Sequence, residues 1–342
     1  MTEARDGSDA HASDDATHDA RRSQVSSIMR LVMSKYVRRP EDERIERAIN
    51  KAIDDTLAGS EARGVVVTAL SGAGKTTLLN RLFDRHPKLG TGPDAPCRMI
   101  KVAVQAPCTL KGLGRAVCWA AGYPIQSNPD AGVIWDRARQ QLQAERIRFI
   151  SFDEIQNVTA TARAGEDTKI LDTIKSLLIN PAFNIGLILA GQPSIVPFLE
   201  ADGQVSRRLA FNRIDPIGQR SAAAMKTIIT SLAETAGLRF DQVEADWLMP
   251  RLIHAALNQF GSAIEMARDV IALACEEPVG TLRREHFARD FASRTSNAAF
   301  ANPYLSIDWQ ALDCSRRGIT RPQQLIVANA KAAPSGRRGA RR

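Results

Sequence analysis

Aromatic residues, cysteines and long apolar runs are all scarce in this sequence. Four tryptophans and three tyrosines among 342 residues offer few platforms for stacking single-stranded bases. Five cysteines, an odd number with no Cys-x-x-Cys pair, favour reduced structural thiols over a disulfide framework or a metal site. The longest stretch without charge, residues 176–199, holds three prolines, so it cannot form the roughly 20-residue apolar helix of a membrane span.

Charge is distributed unevenly along the chain. The net value is +8, yet residues 1–20 contain six acidic residues and one basic residue, whereas residues 316–342 contain eight basic residues and no acidic one. Both ends are predicted to be disordered tails of opposite sign. The basic tail suits a polyanion such as DNA, an acidic protein surface, or simply solubility. Because the acidic start has no apolar signal core, we expect a cytoplasmic protein with no membrane partner.

The middle of the chain alternates strand-like and helix-like segments. Alternation of this kind predicts an α/β fold in which a parallel sheet is covered by helices, followed by a small all-helical domain. The predicted strands are Val65–Thr68, Met99–Val104, Ile147–Phe152, Ile185–Ala190 and a short fifth strand at Arg213–Pro216. The predicted domains are an acidic tail 1–24, an N-terminal helical extension 25–59, the α/β domain 60–217, the helical domain 218–296 and a C-terminal extension 297–342. The N-terminal extension is predicted to hold two helices, the first ending at Arg39-Pro40 and the second starting at Pro40. The helical domain is predicted to hold helices at about 219–236, 243–258, 261–276 and 283–293.

The strongest motif lies between the first predicted strand and the helix that begins at Lys75. There, Ser71-Gly72-Ala73-Gly74-Lys75-Thr76-Thr77 resembles a P-loop, whose glycines let successive backbone N–H groups surround a phosphate. Lys75 is expected to bridge the β- and γ-phosphates of ATP, and the Thr76 hydroxyl to coordinate Mg²⁺. Ala69 stands where the motif expects glycine, which is tolerable if that residue is extended.

A second motif ends the strand about 80 residues later. Phe149-Ile150-Ser151-Phe152-Asp153-Glu154 delivers two adjacent carboxylates to one edge of the sheet. Asp153 is expected to hold Mg²⁺, and Glu154 to polarise the water that attacks the γ-phosphate. A pair that merely caps the next helix is the alternative interpretation.

Three further polar residues are candidates for the same chemistry. Gln192, after the fourth predicted strand, would sense the γ-phosphate, unless it simply belongs to a turn. Arg207 or Arg208 would stabilise the transferred phosphoryl group of a neighbouring subunit, unless the pair is only a solvated surface feature.

Together these motifs resemble an AAA+ ATPase over roughly residues 60–295. Within that class the chain is similar to transposon target-selection ATPases of the TniB type, related to MuB and TnsC. The segments that carry this likeness are Tyr36-Val37-Arg38-Arg39-Pro40, Leu187–Ile195, Ser206–Phe211 and Asn302-Pro303-Tyr304. The resemblance implies a homo-oligomer that forms a ring or helical filament on double-stranded DNA with ATP. Such a protein selects the target and recruits a DDE transposase, and a target-recruiting protein can direct it.

Two expectations depend on this resemblance. Backbone-dominated contact with duplex DNA is expected from Thr109, Lys111 and Arg115, at the start of a predicted helix, although scattered surface charge is an alternative interpretation. The arginine with which many AAA+ lids open a helix is missing, because that helix starts Gly261-Ser262-Ala263 and Arg268 lies two turns inside.

Two other functions are compatible with the P-loop. An AAA+ ATPase could act on protein partners without assembling on DNA, as ExeA-type ATPases linked to secretion do. A small-molecule kinase is less favoured, because the Asp153-Glu154 pair and the helical lid suit hydrolysis.

Overall fold

The computed structural model describes residues 23–59, 62–159, 165–180 and 183–322. These residues form two compact units. The sheet unit comprises Arg38–Pro216, and the helical unit combines the described residues up to Val37 with those from Ile217 onward. Most of the predicted acidic tail and the end of the predicted basic tail lie outside the described residues.

The sheet unit is built on six strands that all run parallel, in the order β2-β3-β4-β5-β1-β6. Both β1 and β5 are buried along their whole length, as expected for central strands covered on two faces. The strands are β1 Gly64–Thr68, β2 Leu89–Gly90, β3 Cys97–Ala103, β4 Ile147–Asp153, β5 Gly186–Gly191 and β6 Leu209–Arg213. The predicted parallel sheet covered by helices is confirmed.

Helices of the sheet unit present one apolar stripe to the sheet. In α4, Leu113 and Val117 lie one turn apart and are buried in the same core as Phe152 of β4. The helices are α2 Pro40–Leu57, α3 Lys75–Arg85, α4 Leu110–Ala120, α5 Ala131–Ala144, α6 Gln156–Thr159, α7 Glu166–Leu178, α8 Ile195–Glu200 and α9 Gly203–Ser206.

One strand of the sheet unit lies several residues from its predicted position, and another was not predicted at all. The strand expected at Arg213–Pro216 lies four residues earlier, at Leu209–Arg213, because its partners are fixed by the register Gly64 to Leu209 with β1. At this edge strand buried and exposed residues follow no regular pattern, so the sequence contains no apolar run that would predict it. The two-residue strand β2 was not predicted either, since it is too short to show a period.

In the part of the chain that the structure describes, the helical unit contains helix α1 (residues 23–34) and four α-helices from the second half of the sequence. These are α10 Ala222–Thr235, α11 Gln242–Ala255, α12 Phe260–Cys275 and α13 Arg284–Thr295. The expectation that this unit is wholly helical is wrong in one detail. Strands β7 Arg239–Phe240 and β8 Thr281–Leu282 pair in parallel, and they were not predicted because two residues are too few to show a periodic pattern.

The two predicted N-terminal helices belong to different units. Helix α1 ends at residue 34 rather than continuing to Arg39, and its Val32 is buried in the core of the helical unit. The Lys35 ammonium donates to the Ser231 hydroxyl at 2.7 Å. Arg268 donates to the carbonyl oxygens of Met33 and Lys35, at 3.3 and 2.9 Å, so this arginine fastens α1 to α12.

The segment after α13 also packs into the helical unit. Tyr304 is 1% exposed and contacts the rings of Phe287 and Phe291. The side-chain amide of Asn302 donates to the Ala288 carbonyl at 2.9 Å. The Asn302-Pro303-Tyr304 motif therefore anchors the chain after α13 in this core.

All five cysteines lie among the described residues as thiols, outside any disulfide bond. Burial raises the pKa of the Cys97 thiol to about 11 and that of Cys314 to about 12, so both stay protonated at neutral pH. Across the described ranges, no helix is both long enough and apolar enough to cross a membrane.

Candidate functional site

The turn between β1 and α3 has the backbone shape that a phosphate-binding loop requires. Gly72 and Gly74 both adopt left-handed conformations, with φ of 79° and 89°, which side chains with a Cβ rarely tolerate. Ala69 is not left-handed, and its N–H continues the β1–β5 pairing by donating to the Gly191 carbonyl at 3.1 Å. The alanine in the first motif position is thus accommodated by an extended backbone.

Lys75, the first residue of α3, is held inside this loop. Its side chain is 5% exposed, and its ammonium donates to the carbonyls of Ala69 and Leu70 at 3.0 and 3.3 Å. Burial lowers the pKa of Lys75, while the carboxylates of Glu154 and Asp153 act in the opposite direction. The loop therefore places one buried cation beside the start of a helix, which is an arrangement that binds anions.

The remaining loop residues surround this cation. Ser71 and Thr77 are exposed, whereas Ala73 is buried and closes a turn by donating its N–H to the Leu70 carbonyl at 3.3 Å. Backbone N–H groups of such a turn, together with those at the start of α3, are the donors that a triphosphate would use.

The structure brings Thr76 and Asp153 together, although 77 positions separate them in the sequence. The Thr76 hydroxyl donates to Asp153 Oδ2 at 2.6 Å, and the Glu154 N–H donates to Asp153 Oδ1 at 2.9 Å. A hydroxyl and a carboxylate are oxygen ligands of the kind that Mg²⁺ prefers, with phosphate and water completing its shell. Such an ion needs no cage of protein ligands, and the described residues include no cluster of three metal-binding side chains.

Glu154 follows β4 in a left-handed conformation, with φ of 57°. Its carboxylate accepts a hydrogen bond of 2.5 Å from Gln156 Nε2. Gln156 in turn accepts one of 3.0 Å at its Oε1 from the N–H of Gln192. The sequence analysis did not identify Gln156, because the strand-end motif that predicted Asp153 and Glu154 stops at Glu154.

Gln192 lies at the expected end of a neighbouring strand. It directly follows β5, which is hydrogen-bonded to both β4 and β1. Gln192 therefore lies at the same end of the sheet, where the strands terminate, as the P-loop and Asp153. Its side chain is exposed, and its backbone N–H makes the bond to Gln156.

Arg39 is a second residue that sequence reasoning did not assign to the site. It is 8% exposed and precedes Pro40, the first residue of α2. Its guanidinium donates to the Ala73 carbonyl at 2.6 Å and to the Asp42 carboxylate at 3.0 Å. Helix α2 is therefore tied to the P-loop backbone. The motif Tyr36–Pro40 pointed to this segment, but not to its contact.

Arg207 and Arg208 lie far from the P-loop, at the end of the sheet where the parallel strands begin. They directly precede β6, whose first residue Leu209 pairs with Gly64, the first residue of β1. The P-loop follows the other end of β1, about 16 Å away for five residues at roughly 3.3 Å each. Both arginines and Arg63 line one cavity of about 350 Å³, so three basic residues lie near the end of the sheet where the parallel strands begin, opposite the P-loop.

The three predicted DNA contacts have partners at the start of α4. The Thr109 hydroxyl accepts from the Gly112 N–H at 3.1 Å, and Lys111 donates to the Asn128 carbonyl at 3.4 Å. Arg115 donates to the carbonyls of Ile125 and Ser127, at 3.2 and 2.5 Å. Thr109 thus caps α4, and Arg115 holds the loop before α5.

The helix start itself is occupied by a carboxylate. Glu166 of α7 accepts the Leu110 N–H at 3.0 Å. A DNA phosphate at this helix start would have to displace that carboxylate, which the sequence pattern did not foresee.

Comparisons with known proteins agree with this geometry. Residues 58–199 match the family model described as an AAA domain, whereas no curated protein sequence matches the chain. The structure resembles the Aeropyrum pernix ORC1 protein in complex with DNA, at 20% identity and a TM-score of 0.56 over 78% of this chain and 69% of that one. It also resembles Cdc6p from Pyrobaculum aerophilum, at 14% identity and a TM-score of 0.57 over 78% and 71%. The chain therefore has the P-loop AAA+ fold, and the AAA-domain family model matches it over residues 58–199.

Proposed function

We propose that this protein is an oligomerising ATPase that assembles on double-stranded DNA and selects the target of a DDE transposase. The observation that carries the nucleotide part is the hydrogen bond between Thr76 and Asp153 beside the buried Lys75. It joins the P-loop to a strand-end carboxylate pair, which is the arrangement that phosphoryl transfer from ATP requires.

Each residue of the site has a role in this proposal. The loop Ser71–Thr77 binds the phosphates through its backbone N–H groups, with Lys75 as the cation. Thr76 and Asp153 would hold Mg²⁺, which neutralises charge on the phosphates when it is bound. Glu154 accepts the proton of the attacking water, and Gln192, directly after β5, responds to the γ-phosphate.

The position of Arg207 and Arg208 supports oligomerisation. Five residues of β1 separate the arginines, at the start of the strands, from the P-loop at their end, so neither arginine can reach the phosphates of its own subunit. A head-to-tail contact between copies would bring Arg207 and Arg208 to the nucleotide of the next subunit. We infer that the guanidinium groups act there in trans.

A mixing experiment tests the role of the two arginines. The Glu154→Gln variant and a variant with both Arg207→Ala and Arg208→Ala should each hydrolyse ATP very slowly alone. In an equal mixture, about a quarter of head-to-tail junctions combine an intact Glu154 with intact arginines, so phosphate release should recover. A mixture that is no faster than its two components would contradict the role in trans. Arg85→Ala, at an exposed arginine of α3, serves as the matched control.

Support for DNA as the partner comes from charge and from a structural neighbour. The chain carries a net charge of +8, and the similar ORC1 protein was solved in complex with DNA. Among the basic residues at the start of α4, Lys111 makes one long hydrogen bond, whereas Arg115 holds a loop. We therefore assign any phosphate contact in this region to Lys111 first, with Thr109 and Arg115 shaping the helix start.

Imaging tests the assembly directly. Purified protein with a non-hydrolysable ATP analogue and plain duplex DNA should form rings or helical filaments visible by electron microscopy. The assemblies should disappear steeply with added salt, because binding releases counterions from the phosphates. If ATP is bound but no assembly forms on DNA, the alternative of an ATPase for protein partners, as in secretion, is favoured instead.

The transposition part needs its own experiment. If an integrase-like transposase is encoded beside this gene, the purified pair should join DNA ends to target DNA faster with ATP than without it. The Lys75→Ala variant is the control, because it lacks the phosphate-binding cation. Equal strand transfer with and without this protein would separate its ATPase activity from any role in transposition.

A further inference from the structure

The side chain of Gln156 connects the proposed water-activating carboxylate to the end of β5. Its Nε2 donates to Glu154 Oε2 at 2.5 Å, and its Oε1 accepts from the Gln192 N–H at 3.0 Å. Gln156 is 8% exposed, so water competes little for either bond. One amide thus joins two segments that are 36 positions apart.

The hydrogen bonds determine which way the amide points. The Gln192 N–H can only donate, so it must face the amide oxygen, and the amide NH₂ must then face Glu154. A carboxylate only accepts, and it matches that donor. Neither bond survives a flip of the amide, and the two contacts therefore fix the orientation of Gln156.

Close packing at the end of β5 keeps Gln156 in this place. A Cβ added at Gly191 would lie 2.7 Å from Gln156 Oε1 and 3.0 Å from Ile155 Cγ2. The missing side chain at position 191 is therefore what lets the amide approach the strand end. On its other side, Glu154 is held by a left-handed backbone with φ of 57°, which limits where its carboxylate can lie.

From this geometry we propose that Gln156 is a positioning residue for the hydrolysis of ATP. It holds Oε2 of Glu154, leaves Oε1 to accept the proton of water, and links this orientation to the strand that ends at Gln192. This inference rests on the proposed ATPase function. Gln156 itself exchanges no proton, because a neutral amide is neither acid nor base at physiological pH.

Replacement of Gln156 by methionine tests this role. Methionine has a similar length and fits a buried position, but it makes neither hydrogen bond. We expect kcat for ATP hydrolysis to fall roughly 10- to 100-fold, which is the loss of rate expected when a general base is misoriented. The dissociation constant for a non-hydrolysable ATP analogue should stay within about twofold, since the phosphates and Lys75 are untouched.

Two further arms separate positioning from a general structural effect. In a Glu154→Gln background, Gln156→Met should cause no additional loss, because residues that act through one another are not additive. Gly191→Ala, which crowds Gln156 Oε1, should lower kcat in the same direction. Asn157→Leu is the matched control: this neighbouring amide donates to the Val104 carbonyl at 2.7 Å, and its loss should lower the melting temperature while kcat is retained.

The outcomes distinguish this inference from the function on which it rests. If the unmodified protein does not hydrolyse ATP, the proposed function fails. If it hydrolyses ATP, Glu154→Gln stalls it and Gln156→Met retains full kcat, only the positioning role of Gln156 is overturned. An equal loss from Gln156→Met in the Glu154→Gln background, or a loss matched by Asn157→Leu, would also overturn it.

Discussion

Lys75→Ala is expected to abolish nucleotide binding at ordinary concentrations, and with it ATP-dependent assembly on DNA. The ammonium is buried and held by the carbonyls of Ala69 and Leu70. The Lys75 side chain therefore loses little conformational entropy when it binds the phosphates. Removing one partner of a buried charged contact costs roughly 2–5 kcal/mol, which corresponds to an affinity loss of about 30- to 4,000-fold. Isothermal titration calorimetry with ATP and Mg²⁺ measures this loss directly.

Lys51→Ala is the matched control for this variant. Lys51 is an exposed lysine of α2 that pairs with Asp55 at 3.2 Å, and exposed pairs of this kind contribute little. Nucleotide affinity and melting temperature should therefore be unchanged. If the Lys75→Ala variant still bound DNA in an ATP-dependent manner, the phosphate site would have to lie elsewhere.

Glu154→Gln is expected to trap the protein with ATP bound. The amide has nearly the shape of the carboxylate and can still accept the bond from Gln156 Nε2, but it cannot take a proton from water. Loss of a general base lowers hydrolysis roughly 10²- to 10⁴-fold, whereas nucleotide affinity should be preserved. Because hydrolysis would disassemble the proposed filament, complexes with DNA should become long-lived.

Two measurements on the same sample check this expectation. Steady-state phosphate release gives the loss in turnover, and the rate at which labelled duplex DNA dissociates after dilution gives the lifetime of the complex. Glu200→Gln, at an exposed glutamate that ends α8, should alter neither. Normal turnover in Glu154→Gln would assign the activation of water to another residue.

The sequence predicted the elements around the P-loop with small errors because strong local signals surround it. Val65–Thr68 is a β-branched run, and the glycines of the loop immediately precede the helix that begins at Lys75. The apolar strand that ends in Asp153 was found for the same reason. Strand β6 was misplaced by four residues because its position depends on pairing with β1 rather than on its own composition.

The helical unit shows the same limit. Four apolar helical periods predicted α10 to α13 within a few residues. The attachment of α1 to this unit depends on Lys35 and Arg268, whose hydrogen bonds join positions about 200 or more residues apart. No local pattern encodes such contacts, so the sequence placed both N-terminal helices together in one extension.

For this protein, the sequence alone determined the chemistry that is written in contiguous residues: a glycine turn that ends in lysine and threonine, and a buried strand that ends in two carboxylates. The tertiary structure alone decided which distant groups meet. It placed Thr76 against Asp153, Arg39 against the P-loop and Gln156 between Glu154 and β5. The physical reason is that short-range propensity fixes elements, whereas strand order and packing fix the distances between them.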